Sequence, residues 1–141
     1  EQNGGGVRNL HFLLIVLCFI EYTPSLLTNT LTFILFLFIL LLSPYPTQLV
    51  VTTGGTGFSP RDVTPEATLD VVGSRVAPAF ASAMIRSTEP TQPVFACLSR
   101  AVVGMVGRVV VVNVPGNPRA VSEYISFLRK RLPHMLREVQ K

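Results

Sequence analysis

The stretch Leu49-Val-Val-Thr-Thr-Gly-Gly-Thr-Gly-Phe-Ser-Pro-Arg-Asp-Val-Thr-Pro-Glu-Ala-Thr68 decides the fold of this 141-residue chain. It opens on a short β-branched run, Leu49 to Val51 with Thr52 and Thr53, that reads as a strand. Gly54, Gly55 and Gly57 follow, and residues without a Cβ let the backbone turn sharply and approach a ligand closely. Thr64-Pro65-Glu66 then begins a helix: Thr64 suits the N-cap, Pro65 the first helical position, and Glu66 the positive end of the helix dipole. Leu69, Val72 and Val76 recur at helical spacing and predict its apolar face.

Further along, Ala79–Arg86 reads as a second short helix followed by a loop to Pro93. Arg108–Val114 is apolar on both faces and predicts a central strand. Pro115, Gly116, Asn117 and Pro118 make a turn. Val121, Tyr124, Ile125, Leu128 and Leu132 recur at three and four and predict an amphipathic last helix, which Pro133 is expected to kink or interrupt. Strand, loop and helix twice over predict an α/β protein, a three-layer sandwich around a mostly parallel sheet with loops at the strand ends. There is no internal repeat.

Residues 1–47 differ in kind from residues 48–141. Their only charges are Glu1, Arg8 and Glu21, so 11 of the 12 Lys and Arg and 6 of the 8 Asp and Glu lie beyond them. Leu10–Ile20 is too short to span a bilayer. Leu31–Leu42, even extended back to Leu26, stays below the about 20 apolar residues a membrane helix needs. No small-residue cleavage site follows the first run, so a signal peptide is not indicated. Two readings remain for this segment. One is a membrane anchor over residues 10–42. The other is translated intron, because Phe, Leu, Ile, Ser, Pro and Tyr are products of pyrimidine-rich codons and Gln48 suits the CAG of a splice acceptor. A chain that opens on Glu1 also reads as a piece of a longer product.

The chemistry concentrates at the glycine loop. Backbone N–H groups in succession, with the hydroxyls of Thr53 and Thr56, can cradle a phosphate. Asp62, in a Pro-Arg-Asp turn before the helix, is placed to hold Mg²⁺ or to accept from a ligand amide. Taken alone, such a turn is more often structural, and neither a Walker loop nor a GxGxxG fingerprint is present. Cys18 and Cys97 lack the spacing of a zinc site or a disulfide framework, and Cys97 is expected to be a buried structural thiol. His134 reads as a surface residue. Arg129, Lys130, Arg131, Arg137 and Lys141 read as a solvated face, Glu66 as a helix residue rather than a catalyst. No dense basic run with interleaved aromatics points to nucleic acid.

The whole string from Leu49 to Thr68 resembles the MoaB/Mog family of molybdopterin adenylyltransferases, which includes the G domain of gephyrin. Leu98-Ser99-Arg100, followed by Gly104 and Gly107, resembles the family's Leu-Ser-Arg segment and the strand pair after it. Asn113-Val-Pro-Gly-Asn-Pro118 resembles its Asn-Leu-Pro-Gly turn. The resemblance covers residues 48–141. It implies that Thr53, Gly54, Gly55, Thr56 and Gly57 bind molybdopterin and its terminal phosphate. It also implies that Asp62 serves adenylyl transfer and the metal, that Ser99 and Arg100 lie beside the pocket, and that Pro115, Gly116, Asn117 and Pro118 wall it.

The implied reaction joins AMP from Mg·ATP to molybdopterin, with Mg²⁺ as cofactor and ATP and molybdopterin as substrates. The alternatives are a non-catalytic molybdopterin-binding scaffold and a membrane-anchored variant. A cytoplasmic homotrimer, with a MoeA-like molybdate-insertion domain as a partner, also follows from the resemblance. One departure weighs against turnover. The family's opening Val-Ser-Asp strand end and acidic Asp-x-Ser-Gly segment have no counterpart in residues 1–47, so the sandwich is expected to be truncated at its N-terminal part.

Overall fold

A computed structural model describes residues 47–141; the readings of the hydrophobic segment lie outside the described residues. Strand β1 (Leu49–Thr53) leads through the glycine loop to helix α1 (Thr64–Val72). Helices α2 (Pro78–Arg86) and α3 (Pro93–Cys97) follow, then strands β2 (Val103–Val106) and β3 (Val109–Val114) and the long helix α4 (Pro118–Val139). The α/β class read from the sequence is the one the chain adopts. Among the described residues the sheet has the order β1-β3-β2. β1 runs parallel to β3, from Leu49 opposite Val110 to Thr53 opposite Val114, while β2 is antiparallel to β3. The mixture follows from the connections. Gly107-Arg108 leaves room only for a hairpin, whereas the β1-to-β3 link carries three helices and allows a parallel return.

Alternation along the strands divides the core into two layers. Leu49, Val51, Val110, Val112 and Val114 face α2 and α4, which contribute Ala81, Met84, Tyr124, Leu128, Leu132 and Leu136. Val50 and Val111 face the other way and meet Val72 of α1. Helices therefore cover both faces.

Several local expectations are corrected by this packing. Leu69 and Val76 are exposed, and the buried side of α1 is Thr64, Pro65, Thr68 and Val72. Its apolar content is reduced because the sheet beneath it presents a polar group, Asn113. Thr64 is the first residue of the helix rather than its cap, and no side chain caps that end. In α4 the buried stripe is Ala120, Tyr124, Leu128, Leu132 and Leu136, and Ile125 is exposed. The helix runs through Pro133 without interruption, held on either side by the buried Leu132 and Leu136. Cys97 is exposed, at the end of α3; a helix of five residues has no room to turn one side fully inward.

Asn113 is completely buried and fully used. Its Nδ2 donates to Thr52 Oγ1 at 2.9 Å and to Thr68 Oγ1 at 2.8 Å. Its Oδ1 accepts from Val102 N at 3.1 Å, and its own amide donates to Val102 O at 3.0 Å. Truncating this side chain orphans the Val102 amide and removes the donor that the Thr52 and Thr68 hydroxyls accept from. Asn113→Ala is expected to lower the unfolding free energy by about 3 kcal/mol, read from the urea midpoint at unchanged m-value.

Candidate functional site

The carboxyl ends of the parallel pair β1 and β3 release two loops side by side. Gly54 N donates to Val114 O at 3.0 Å, and Thr53 Oγ1 donates to Pro115 O at 3.0 Å. The loops touch so closely that a Cβ on Gly116 would lie 3.3 Å from the Gly54 Cα. Gly55 has φ +64°, and a Cβ there would meet Thr64 Oγ1 at 2.4 Å, so both conformation and space demand glycine. The space is taken because Thr64 ties helix to loop: its amide donates to Gly55 O at 3.1 Å and its hydroxyl to Gly54 O at 2.9 Å.

Arg100 holds the loop from the other side. Nε donates to Gly57 O at 2.7 Å and one terminal nitrogen to Asp62 O at 2.6 Å. The other terminal nitrogen pairs with Glu66, and the guanidinium lies 5.4 Å from the Phe58 ring centroid. The ion pair itself is half-exposed and contributes little; the bonds to two loop carbonyls are what fix the loop. Asp62 folds back over its own turn, with Oδ2 accepting from Ser59 N at 2.9 Å. Its Oδ1 has no partner among the described residues.

Between the loop, α3 and α4 lies a cleft of about 430 Å³, in the range of small-molecule sites. Of the residues singled out from the sequence, Gly54, Gly55, Thr56, Gly57, Asp62, Ser99, Pro115, Gly116 and Asn117 line it. Thr53, Arg100 and Pro118 do not: Thr53 ties the two loops together, Arg100 clamps from behind, and Pro118 begins α4. Phe58 and Leu98, from within the quoted motifs, and Gln92, Phe95 and Tyr124, which belong to none, also line the cleft. Tyr124 left one trace in the sequence, a hydroxyl within an otherwise apolar stripe.

Polar groups occupy the cleft's inner wall. Tyr124 OH and Ser99 Oγ are 3.3 Å apart, and Gln92 Oε1 accepts from Asn117 Nδ2 at 3.1 Å. Burial pushes the Tyr124 phenol above its ordinary pKa, and the Ser99 bond opposes this only in part. Among the described residues Asp62 is the one charged side chain in the lining. Among them, too, no group of three or more His, Cys, Asp or Glu is placed to hold a metal, and no helix is long and apolar enough to cross a membrane.

Fold and cleft together define an α/β domain with a cavity of small-ligand size beyond the carboxyl ends of its strands. Residues 40–134 match the family model described as "Probable molybdopterin binding domain", and the chain belongs to that family. It is 39% identical over 87 residues to the molybdenum cofactor synthesis protein cinnamon of Drosophila melanogaster, a match covering 62% of this chain and 14% of that protein. To the molybdopterin adenylyltransferase of Helicobacter pylori it is 38% identical over 90 residues, 64% of this chain and 50% of the relative. The chain thus spans about half or less of these relatives. The crystal structure of MoaB from Thermus thermophilus superposes with a TM-score of 0.65 at 32% identity, over 79% of this chain and 67% of that one.

Two outcomes follow from this geometry. Arg100→Ala is expected to speed hydrogen exchange at the Asp62 and Thr64 amides while leaving Val110 to Val112 protected. The raised Tyr124 pKa stabilises the fold fully below the ordinary tyrosine value of 10.0. That contribution is lost as pH rises through the folded-state value, because the unfolded chain releases the proton first. Wild-type stability should therefore fall above pH 10 more steeply than that of Tyr124→Phe, measured by urea unfolding at stepped pH.

Proposed function

We propose that the cleft binds molybdopterin and that the chain serves molybdenum-cofactor biosynthesis by joining AMP from Mg·ATP to the molybdopterin phosphate. One observation carries this reading. The amides of Gly55, Thr56, Gly57 and Phe58 donate to no acceptor among the described residues, and all four residues line the cleft. Unused N–H groups in succession are an anion cradle made of backbone. The names of the relatives, molybdopterin adenylyltransferase among them, support the same ligand.

In the proposed reaction an oxygen of the molybdopterin phosphate attacks the α-phosphorus of ATP. The bond from that phosphorus to the bridging oxygen breaks, and pyrophosphate leaves. Such chemistry asks a protein for positioning and charge neutralisation. The glycine loop supplies the first, with its shape fixed by Thr64 and Arg100. Mg²⁺ is commonly held by one or two carboxylates plus substrate phosphates, and the unpartnered Asp62 Oδ1 fits that role; the ion would neutralise charge between the phosphates. A cytoplasmic trimer working with a molybdate-insertion domain belongs to the same reading.

A second reading, molybdopterin binding without turnover, is favoured by the lack of any Lys, Arg or His in the lining among the described residues. A phosphate monoester and a triphosphate would meet there with no protein cation between them. Both readings are separated by one experiment on the 1–141 chain, pairing molybdopterin affinity with pyrophosphate release from Mg·ATP. Binding and turnover, with turnover reduced about a hundredfold or more in Asp62→Ala, is the expected outcome. Binding alone establishes the second reading, and a folded chain that does not bind overturns both.

A further inference from the structure

Among the described residues, Gln92 holds a buried donor with no acceptor. The residue is 8% exposed, it lines the cleft, and its Nε2 has no hydrogen-bond partner among the described residues. Buried polar groups are as a rule satisfied, so an orphaned N–H in a cleft wall points to a missing acceptor.

The direction of this amide is fixed by a chain of bonds that begins at an unambiguous donor. Arg119 N is backbone, and it donates to the Asn117 side chain at 2.9 Å, so the Asn117 atom receiving it must be oxygen. Asn117 Nδ2 is then the atom facing Gln92, at 3.1 Å. Being a donor, it requires Gln92 to answer with Oε1. Turning the Gln92 amide over would set two N–H groups against each other. The helix cap of α4 therefore commits Gln92 to keep its NH₂ free.

The surroundings select the chemistry of the partner. Phe95, Ala96 and Leu98 line the cleft beside Gln92, and among the described residues no cation does. A phosphate buried against this wall would lose its hydration without a compensating charge, and the glycine loop already offers four free amides to an anion. A neutral acceptor on a flat heteroaromatic ring needs only one N–H, and its faces suit apolar walls. We infer that Gln92 Nε2 donates to an acceptor atom of the pterin ring of bound molybdopterin, which makes Gln92 a specificity-determining residue of the cleft. The inference rests on the ligand proposed above, and it divides the cleft between a phosphate end at the loop and a ring end at α3.

The test is a ¹⁵N–¹H spectrum of the 1–141 chain titrated with molybdopterin, alongside affinities of Gln92→Glu and Gln92→Met. Gln92→Glu keeps an oxygen for Asn117 and replaces the donor by a carboxylate, while Gln92→Met removes the donor without adding charge. The expected result has two parts: a downfield shift of the Gln92 side-chain protons on binding, and an affinity about tenfold lower in both variants, each shown to be folded by retained protection of the Val110 to Val112 amides. If the amides of Gly55 to Phe58 shift while the Gln92 protons stay still, the inference is overturned and the proposed ligand survives. Wild-type affinity in Gln92→Glu would overturn it in the same way. If neither the loop amides nor Gln92 respond, the proposed ligand itself is overturned.

Discussion

The buried amide of Asn113 joins the three pieces of chain that shape the glycine-loop side of the cleft. From the middle of the sheet it bonds β1 through Thr52, α1 through Thr68, and the segment entering β2 through Val102. Each of these delivers something to the site: β1 ends in the glycine loop, α1 anchors that loop through Thr64, and the segment before Val102 carries Ser99 and Arg100. A side chain with one acceptor and two donors, all satisfied, specifies a single register among these pieces where an apolar residue would tolerate several. The parallel pairing of β1 with β3 then sets the two loops beside each other.

The cleft handles charge in an economical way. Among the described residues its lining contains no cation, so any anion it binds is met by peptide dipoles held in a fixed arrangement rather than by mobile ammonium or guanidinium groups. The nearby cation, Arg100, is directed away from the ligand and onto the carbonyls of Gly57 and Asp62. Binding by such a preformed cradle depends on backbone shape. That explains why the loop is fastened from two sides, by Thr64 and by Arg100.

Much of this was legible in the chain itself. The strands, the long helix and the loop from Gly54 to Gly57 follow from β-branched runs, periodicity and glycine placement, and the motif order revealed the family. What the sequence misread lies where tertiary contacts override local pattern. Leu69 and Val76 have helical spacing, yet the polar Asn113 turned Thr68 rather than Leu69 inward, and the helix ends at Val72, leaving Val76 to bridge Gly104. Arg100 bears a charge complementary to a phosphate, and only the fold shows its donors already engaged by Gly57, Asp62 and Glu66. Gln92 and Tyr124 belong to no motif, because their importance comes from a bond across α3 and α4 rather than from neighbours in sequence. The mixed strand directions needed the hairpin at Gly107 to be seen.

The stripe that seats α4 recurs every four residues, from Ala120 to Leu136, on a helix that turns about once every 3.6. Each step therefore advances the buried side by roughly 40°, and the stripe winds around the helix as a thread winds around a screw. A helix seated in this way has no freedom to slide along its axis without also rotating, and rotation would bring Arg129 or Arg137 against the sheet. Asn117, the cap of this helix, lies about 28 Å from Leu136 at roughly 1.5 Å per residue, on the same rigid element. The seat that buries the far end of α4 thus also holds the rotational setting in which Asn117 meets Gln92.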